Sequence, residues 1–261
     1  MKYIVLSFDD GRKDFYTNAF RILKKYRLTA TLNVITDFVG RTDLNAFESG
    51  NNEAVTWDEI SEMHEYGIEI ANHSANHSNE IDQITKGVDK IKKQLGINNV
   101  GFASPNSEIN EKNIAKYKDN SFENTIAYIR SGNQIRRDGK LITYMLSKLT
   151  KSPWFYYLYN KRNFINIMHS RREAERGFYP SITCNRDNSI RQLKYLIEKL
   201  SDNNAAIIMF HSILKKDDAG WGKDRWFNSV GEFSEICKYL SGQSDVKVIT
   251  NMELDKLLSE K

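Results

Sequence analysis

The feature that most constrains this chain is the alternation of short β-rich apolar runs with amphipathic helical segments along most of its length. Strands that alternate with helices in this way form parallel β/α units, with the helices packed outside the sheet. The pattern predicts a complete or distorted (β/α) barrel, with a doubly wound sheet as the alternative. The predicted strands are residues 3–8, 29–35, 68–71, 100–103, 125–129, 205–210 and 246–249.

Residues 141–179 interrupt this alternation with a sequence that is both aromatic and basic, including SPWFYYLYNKRNFINIMHSRR. The segment predicts a helical insertion within a single domain that spans residues 1–261, a length that one α/β barrel commonly reaches. Its aromatic side chains either pack internally or form a surface that holds a substrate or an anionic partner. On the second interpretation they flank the mouth of the site as a substrate lid. The lid residues are then Trp154, Phe155, Tyr156, Arg171 and Arg172.

The composition excludes several classes of protein. A net charge of +4 on 261 residues is too mild to indicate nucleic-acid binding. Cys184 and Cys237 form no C-x-x-C pair, so neither a disulfide framework nor a thiolate zinc site is expected. No apolar stretch approaches the ~20 residues of a membrane span. Strand-like sequence begins at Lys2 or Tyr3 without a secretory leader before it, which predicts a cytoplasmic location.

Acidic and imidazole side chains follow three of the predicted strands. Asp9 and Asp10 end the first strand, His73 and His77 follow the strand at 68–71, and His211 ends the strand at 205–210. The carboxyl ends of parallel strands meet at one edge of the fold, where active sites form. We therefore expect these side chains to converge. His64 and His169 lie in helical contexts away from strand ends and are interpreted as structural or surface residues.

Two histidines and one carboxylate make a facial set of ligands for a divalent metal with open positions. One aspartate of the Asp9–Asp10 pair can be that ligand, and the other is then free to act as a general base on a water that the metal polarises. The charge of the cation also removes most of the repulsion between the two carboxylates. Across the site, His211 could protonate a leaving amine. The pattern predicts metal-assisted hydrolysis of an amide or an ester.

Three stretches resemble the motifs of a known family. The run Ser7-Phe8-Asp9-Asp10-Gly11 is similar to its first motif, T-F-D-D-G, and residues 73–77 match H-[ST]-x-x-H. The strand IIMFHSI resembles its last motif, a hydrophobic strand that ends in histidine. The chain thus resembles the polysaccharide deacetylase family, also known as the NodB-homology family or carbohydrate esterase family four. The resemblance covers most of the chain except residues 141–179.

The resemblance implies a distorted barrel of seven or eight parallel strands. It implies one divalent metal, usually zinc, with cobalt, nickel, manganese or iron as alternatives. The metal ligands would be Asp10, His73 and His77. Asp9 would be the general base and His211 the general acid. The acetyl oxygen would bind at the third motif, FASPNSE, beside Pro105 and the backbone N–H of Asn106.

The implied reaction removes an N-acetyl group from an amino sugar. A cytoplasmic location favours a small or carrier-linked N-acetylated sugar over cell-wall polymer. Two alternatives stay open: a NodB-like hydrolase of another C–N bond, such as a cyclic amide, and a non-catalytic barrel that binds glycans or a partner protein.

The third motif departs from the family pattern. Many members carry there an arginine that holds the base aspartate, whereas this chain has Ala103. Another cation must then reach Asp9, and we favour Arg130 slightly over Arg186. Asp187 is the candidate for orienting His211. Arg186 and Asp187 could equally be an ordinary surface start of a helix. The family's fourth motif, which contains a tryptophan, is not recognisable.

Overall fold

The structure is a computed structural model that describes residues 1–44, 53–110, 112–117, 125–132, 141–168, 177–223 and 225–260. Its strands, in chain order, are β1 (Lys2–Phe8), β2 (Thr31–Val34), β3 (Glu69–Asn72), β4 (Phe102–Ala103), β5 (Ile129–Ser131), β6 (Ile165–Asn166), β7 (Phe178–Thr183), β8 (Asn204–Phe210), β9 (Ser212–Leu214), β10 (Phe227–Ser229) and β11 (Val246–Ile249). Its α-helices are α1 (Arg21–Tyr26), α2 (Trp57–Tyr66), α3 (Ile81–Leu95), α4 (Leu141–Thr150), α5 (Pro153–Asn160), α6 (Ile190–Glu198), α7 (Val230–Ser241) and α8 (Asn251–Ser259).

Seven parallel strands close into a barrel in the order β1, β2, β3, β4, β5, β7 and β8. The closing pair is β8 with β1, which stay in register from Tyr3↔Ala205 to Phe8↔Phe210. The opposite edge of β1 pairs with β11 near its start and with β2 at Ser7 and Phe8. The predicted distorted (β/α) barrel is confirmed, and the doubly wound alternative is excluded.

Two apolar layers hold the barrel, because successive residues of a strand point to opposite faces. Ile4, Leu6 and Phe8 of β1 belong to the outer core between the barrel and its helices. Val5 belongs to a second cluster, which also contains Ile207 and residues of α8. Nearer the carboxyl ends of the strands the residues become polar, and the candidate site lies at that end.

Helices form where the sequence supplies capping boxes. Thr56, Ser189, Ser229 and Thr250 each accept a hydrogen bond from the backbone three residues later, and the side chain at that third position returns one. These caps set the starts of α2, α6, α7 and α8. None of the helices among the described residues is long and apolar enough to span a bilayer.

Several elements differ from the prediction, and the short strands β6, β9 and β10 were not predicted. The strand expected at 125–129 lies instead at β5 and runs through Arg130 and Ser131. The strand β7 was not predicted, because Pro180 lies within it and proline normally argues against a central strand. The first helical segment after β1 is a π-helix, Phe15–Phe20, that continues into α1. The helices α4 and α5 lie in the region where an insertion was predicted, and the assignment of the whole chain to one domain stays a prediction.

Asp14 ties the first turn to the segment that follows β8. The carboxylate is fully buried, and its Oδ1 accepts a hydrogen bond from the backbone N–H of Ile213 at 2.7 Å. Its Oδ2 has no hydrogen-bond partner within the described ranges. Burial raises the pKa of Asp14 to about 6, and the nearby Arg12 opposes this only in part.

Because the pKa of Asp14 is higher in the folded state, its contribution to stability is present below about pH 4 and is lost as the pH rises through about 6. The free energy of unfolding of wild type, relative to Asp14→Asn, is therefore expected to fall by up to about 3 kcal/mol between pH 4 and pH 7.5. Urea unfolding of both proteins with a chelator present measures this difference. A difference that does not change with pH would contradict the prediction.

Candidate metal centre and active-site cavity

The turn after β1 separates the two aspartates. Asp10 has φ 78° and Gly11 has φ 67°, so two successive residues adopt left-handed backbone conformations. Glycine suits position 11 for two reasons. It tolerates the positive φ, and a Cβ at this position would lie only 3.3 Å from the side chain of Val34. A non-glycine residue with positive φ is strained, and such strain is concentrated at functional sites. The turn sends the Asp9 and Asp10 carboxylates to different partners.

Asp10 faces the two histidines that follow β3. Its Oδ1 lies 3.5 Å from Nε2 of His73 and 3.7 Å from Nε2 of His77. One ligand atom from each of the three side chains lies within 4.8 Å of the other two. Nδ1 of His73 donates to the carbonyl oxygen of Ala103 at 2.8 Å, which leaves Nε2 for a metal. Burial lowers the pKa of His77, which favours the neutral imidazole that metals bind.

Arg12 holds the other oxygen of Asp10. Its Nε and Nη2 lie 2.8 and 2.6 Å from Oδ2, and its Nη1 donates to Oγ of Ser212 at 3.0 Å. Burial alone would raise the pKa of Asp10, but Arg12 and a hydrogen bond with His73 outweigh it and hold that pKa well below its ordinary value. Oδ1 is thereby directed to the histidines. Sequence reasoning missed Arg12, although it stands two residues after Asp10.

Replacing Arg12 by methionine is expected to weaken metal affinity by about 10–100-fold, the usual effect of losing a hydrogen-bond partner of a ligand. Without the guanidinium, Oδ2 of Asp10 is no longer fixed. Titration of the metal-free protein with Zn²⁺ against a competing chelator measures the dissociation constant. Arg21→Met, at an exposed position of α1, serves as the matched control. Equal affinities for both variants would mean that Arg12 does not orient the ligand.

Asp9 is buried and has two donors on one oxygen. Its Oδ1 accepts a hydrogen bond from Nδ2 of Asn33 at 2.8 Å and another from Nη2 of Arg130. No donor from the described residues reaches Oδ2. Arg130 is itself fully buried, and its Nη1 lies 2.8 Å from Sδ of Met209. The structure thus places the guanidinium of Arg130, on β5, at the Asp9 carboxylate.

Arg186 and Asp187 do not reach the groups proposed for them. The guanidinium of Arg186 lies 5.9 Å from the ring centroid of Phe227 instead of at Asp9. The Asp187 carboxylate accepts from Nζ of Lys148 at 3.3 Å. Its backbone belongs to the turn before α6, where its N–H donates to Oδ1 of Asn185, and this directs the carboxylate toward α4. The prediction that Asp187 orients His211 is not met in this structure.

His211 lies directly after β8, on the same rim of the barrel as Asp9. Its Nδ1 is buried and has no hydrogen-bond partner in the described part of the chain. Burial lowers the pKa of this imidazole below its ordinary value, although Asp10 and Asp9 oppose the shift. The ring of Trp226 lies 5.0 Å away, centroid to centroid. Trp226 was not identified from the sequence, because no motif spacing connects it with His211.

A cavity of about 730 Å³ lies at this end of the barrel. Its lining includes Asp9, Asp10, His73, His77, His211 and Trp226. Asn106 also lines it, with φ 53°, and Pro105 is buried next to it. The wall contributed by the region of the predicted insertion consists of Tyr144, Ser147 and Lys148 of α4 and Tyr156, Tyr159 and Asn160 of α5. The rings of Tyr144 and Tyr159 lie 5.1 Å apart at 47°, and the Tyr156 hydroxyl is buried without a partner among the described residues.

The proposed substrate lid is therefore only partly at the cavity. Tyr156 lines it, and positions 156, 159 and 160 share one face of α5. Trp154 does not line it: its side chain is 52% exposed and packs edge-on against Phe155. Arg171 and Arg172 lie outside the described residues, as does His169. His64 lies on α2, away from the cavity.

Comparison with known proteins agrees with this geometry. Residues 1–125 match the sequence model of the family described as polysaccharide deacetylase. The matched part is just under half of the 261 residues of the chain. It contains β1 with Asp9 and Asp10, and β3 with the two histidines that follow it. The curated relative YxkH of Bacillus subtilis, a polysaccharide deacetylase by name, is 32% identical over 76 residues. That match covers 29% of this chain but only 24% of the relative.

Two solved structures match nearly the whole chain. A point variant of the peptidoglycan deacetylase PdaC from Bacillus subtilis is 17% identical, with a TM-score of 0.50 over 99% of this chain and 92% of that chain. A family 4 acetyl xylan esterase from Clostridium thermocellum, solved with a cobalt ion, is 18% identical, with a TM-score of 0.48 over 98% of this chain and 91% of that one. At 17% identity the likeness to PdaC concerns the fold.

Proposed function

We propose that this protein is a metal-dependent hydrolase that removes an N-acetyl group from an amino sugar or an N-acetylated glycoconjugate. The observation that carries the proposal is the convergence of three metal-type ligands, a buried carboxylate with its own arginine, and a histidine on one cavity. The match of residues 1–125 to the polysaccharide deacetylase model supports the same class of chemistry.

The residues present fit a divalent cation. Asp10 Oδ1, His73 Nε2 and His77 Nε2 would hold it, since Arg12 occupies the other oxygen of Asp10 and Ala103 fixes the tautomer of His73. Two imidazoles and a carboxylate suit zinc, and the same donor set also accepts other first-row metals. When bound, the cation supplies a Lewis acid that polarises the acetyl carbonyl and lowers the pKa of a water toward ~7.

Asp9 is the proposed general base. Arg130 and Asn33 fix its Oδ1, so its Oδ2 is left to take a proton from the attacking water. The guanidinium compensates the buried negative charge, and the fixed orientation avoids the cost of reorganisation during proton transfer. Asn33 was not predicted, because an asparagine inside a β-rich run resembles an ordinary strand residue.

His211 is the proposed general acid. An amine is a poor leaving group until its nitrogen is protonated, so amide hydrolysis needs a donor on the leaving side. His211 lines the same cavity as Asp9 and Asp10 and follows a different strand. The backbone N–H of Asn106 is the proposed donor to the acetyl oxygen, in a left-handed turn that lines the cavity.

The rest of the cavity suits a sugar. Tyrosines supply flat apolar faces, and Asn160, Asn185 and Asn188 supply amide donors and acceptors. The volume of about 730 Å³ accommodates one or two sugar rings better than a long stretch of polymer. A small or carrier-linked N-acetylated sugar is therefore the proposed substrate class.

Metal analysis followed by an acetate-release screen tests the proposal. Purified protein is analysed by inductively coupled plasma mass spectrometry, and then incubated with N-acetylated mono- and disaccharides and their nucleotide-linked and lipid-linked forms. Stoichiometric metal with metal-dependent acetate release supports it, with Asp9→Asn as the background control. Hydrolysis of a cyclic amide without acetate release would replace it with the other C–N hydrolase. Absence of metal, together with glycan binding and no turnover, would favour the non-catalytic barrel.

A further inference from the structure

Helix α4 presents an apolar stripe to solvent. Ile142, Met145 and Leu149 are 71%, 50% and 77% exposed, and their spacing places them on one face of the helix. Of the eight large apolar side chains that the described residues expose, five fall within residues 141–168. A concentration of exposed apolar side chains in one segment indicates an interaction surface, because on most protein surfaces such side chains are scattered singly.

The opposite face of α4 lines the cavity through Tyr144, Ser147 and Lys148. One helix therefore has the candidate active site on one side and the apolar stripe on the other. A binding partner on the stripe would lie one helix diameter, about 10 Å, from the cavity.

The stretch of sequence that contains this stripe is basic. Residues 133–176 contain ten lysines and arginines and three acidic residues, whereas the whole chain has a net charge of only +4. The remainder of the chain is therefore slightly acidic. Within residues 141–168 the charged residues are Lys148, Lys151, Lys161 and Arg162, with no aspartate or glutamate. Of these, Lys151, Lys161 and Arg162 are exposed.

We propose that α4 docks on the surface of a bilayer that contains anionic lipid, with Ile142, Met145 and Leu149 inserted at the boundary between headgroups and acyl chains. An aliphatic stripe beside lysines and arginines is the pattern of helices that lie in this interface, and anionic lipid attracts the basic residues. A second copy of this chain fits less well, since it would bring the same basic segment against the first. A helix of ten residues gives reversible, salt-sensitive attachment.

Docking in this orientation would present the cavity to a sugar attached to a lipid carrier. This consequence rests on the proposed function, whereas docking itself does not. A membrane-bound substrate would reach the catalytic groups past Tyr144 and Lys148, without leaving the bilayer surface.

Vesicle flotation tests the docking without any activity measurement. Full-length protein is mixed with vesicles of phosphatidylcholine alone or with 30% phosphatidylglycerol, and centrifuged through a density gradient. We expect wild type to float with the anionic vesicles, to remain below with the neutral ones, and to be released in 0.5 M NaCl. For the triple variant Ile142→Ser, Met145→Ser, Leu149→Ser, we expect a floated fraction at least 10-fold smaller than that of wild type.

Matched variants separate charge from fold. Lys161→Glu with Arg162→Glu is expected to reduce flotation, whereas Lys92→Glu with Lys93→Glu, near the end of α3, changes the net charge equally and should not. Equal melting temperatures verify that the serine variant is folded. Wild type that fails to float, or a serine variant that floats as well as wild type, would overturn the proposal. A dimer or a captured acidic protein that depends on the stripe, without flotation, would also overturn it.

Discussion

Replacement of His77 by alanine is expected to remove both the bound metal and the turnover. His77 supplies one of three ligands, and Asp10 with His73 alone offers only two. Metal content, measured by inductively coupled plasma mass spectrometry after dialysis, should fall from one ion per chain to nearly none. The side chain is only partly buried, at 34% exposure, so its removal should leave the core intact.

The matched control is His64→Ala, which removes an imidazole of the same size from α2. It should retain metal, turnover and melting temperature. Stoichiometric metal in the His77 variant would disprove the ligand assignment, whatever happened to its activity.

The second large effect is expected from Asp9→Asn. The amide keeps the size of the side chain but cannot accept the proton, so the rate should fall by about 10²–10⁴. Metal content should not change, because Asp9 is not among the three clustered ligands. The variant should also lose stability, since the buried Arg130 then lacks its carboxylate. Stopped assays below the melting temperature separate the two effects.

The double variant Asp9→Asn, Arg130→Met sharpens this test. If Arg130 acts only by orienting and compensating Asp9, Arg130→Met alone should lower kcat with metal retained, and the double variant should be no slower than Asp9→Asn. The double variant should also regain part of the lost stability, because it buries no unpaired charge. Additive rate losses would show that Arg130 has a separate role, such as contact with substrate.

Most of the barrel could be predicted because its strands are short apolar runs between well-capped helices. The same sequence predicted that Asp9, Asp10, His73, His77 and His211 would converge, since each follows a strand and parallel strands end on one rim. The roles of these residues remain part of the proposed function.

The parts that could not be predicted depend on contacts between distant residues. The sequence favoured Arg130 as the partner of Asp9 but ended the strand at residue 129, whereas β5 runs through Arg130, which contacts Asp9 across 121 residues of sequence. Pro180 lies in β7 although proline disfavours central strands. The strands β5 and β8 pair with β7 on its two sides, and these pairings are not visible in the local sequence. Asp187 was assigned from its position near His211 in the expected order of elements, but Lys148 of α4 holds it elsewhere.

The pairing of β1 has a consequence for biosynthesis. β1 is synthesised before the other described strands, yet apart from the pairing of Ser7 and Phe8 with β2 its partners are β8 and β11, which lie roughly 200 to 240 residues later. Contacts of such long sequence separation form late and slowly. Asp9 and Asp10 therefore follow a strand that lacks most of its pairing partners until β11, which ends at Ile249, has been synthesised. Metal acquisition is thus expected only after β8 and β11 have been synthesised and have paired with β1.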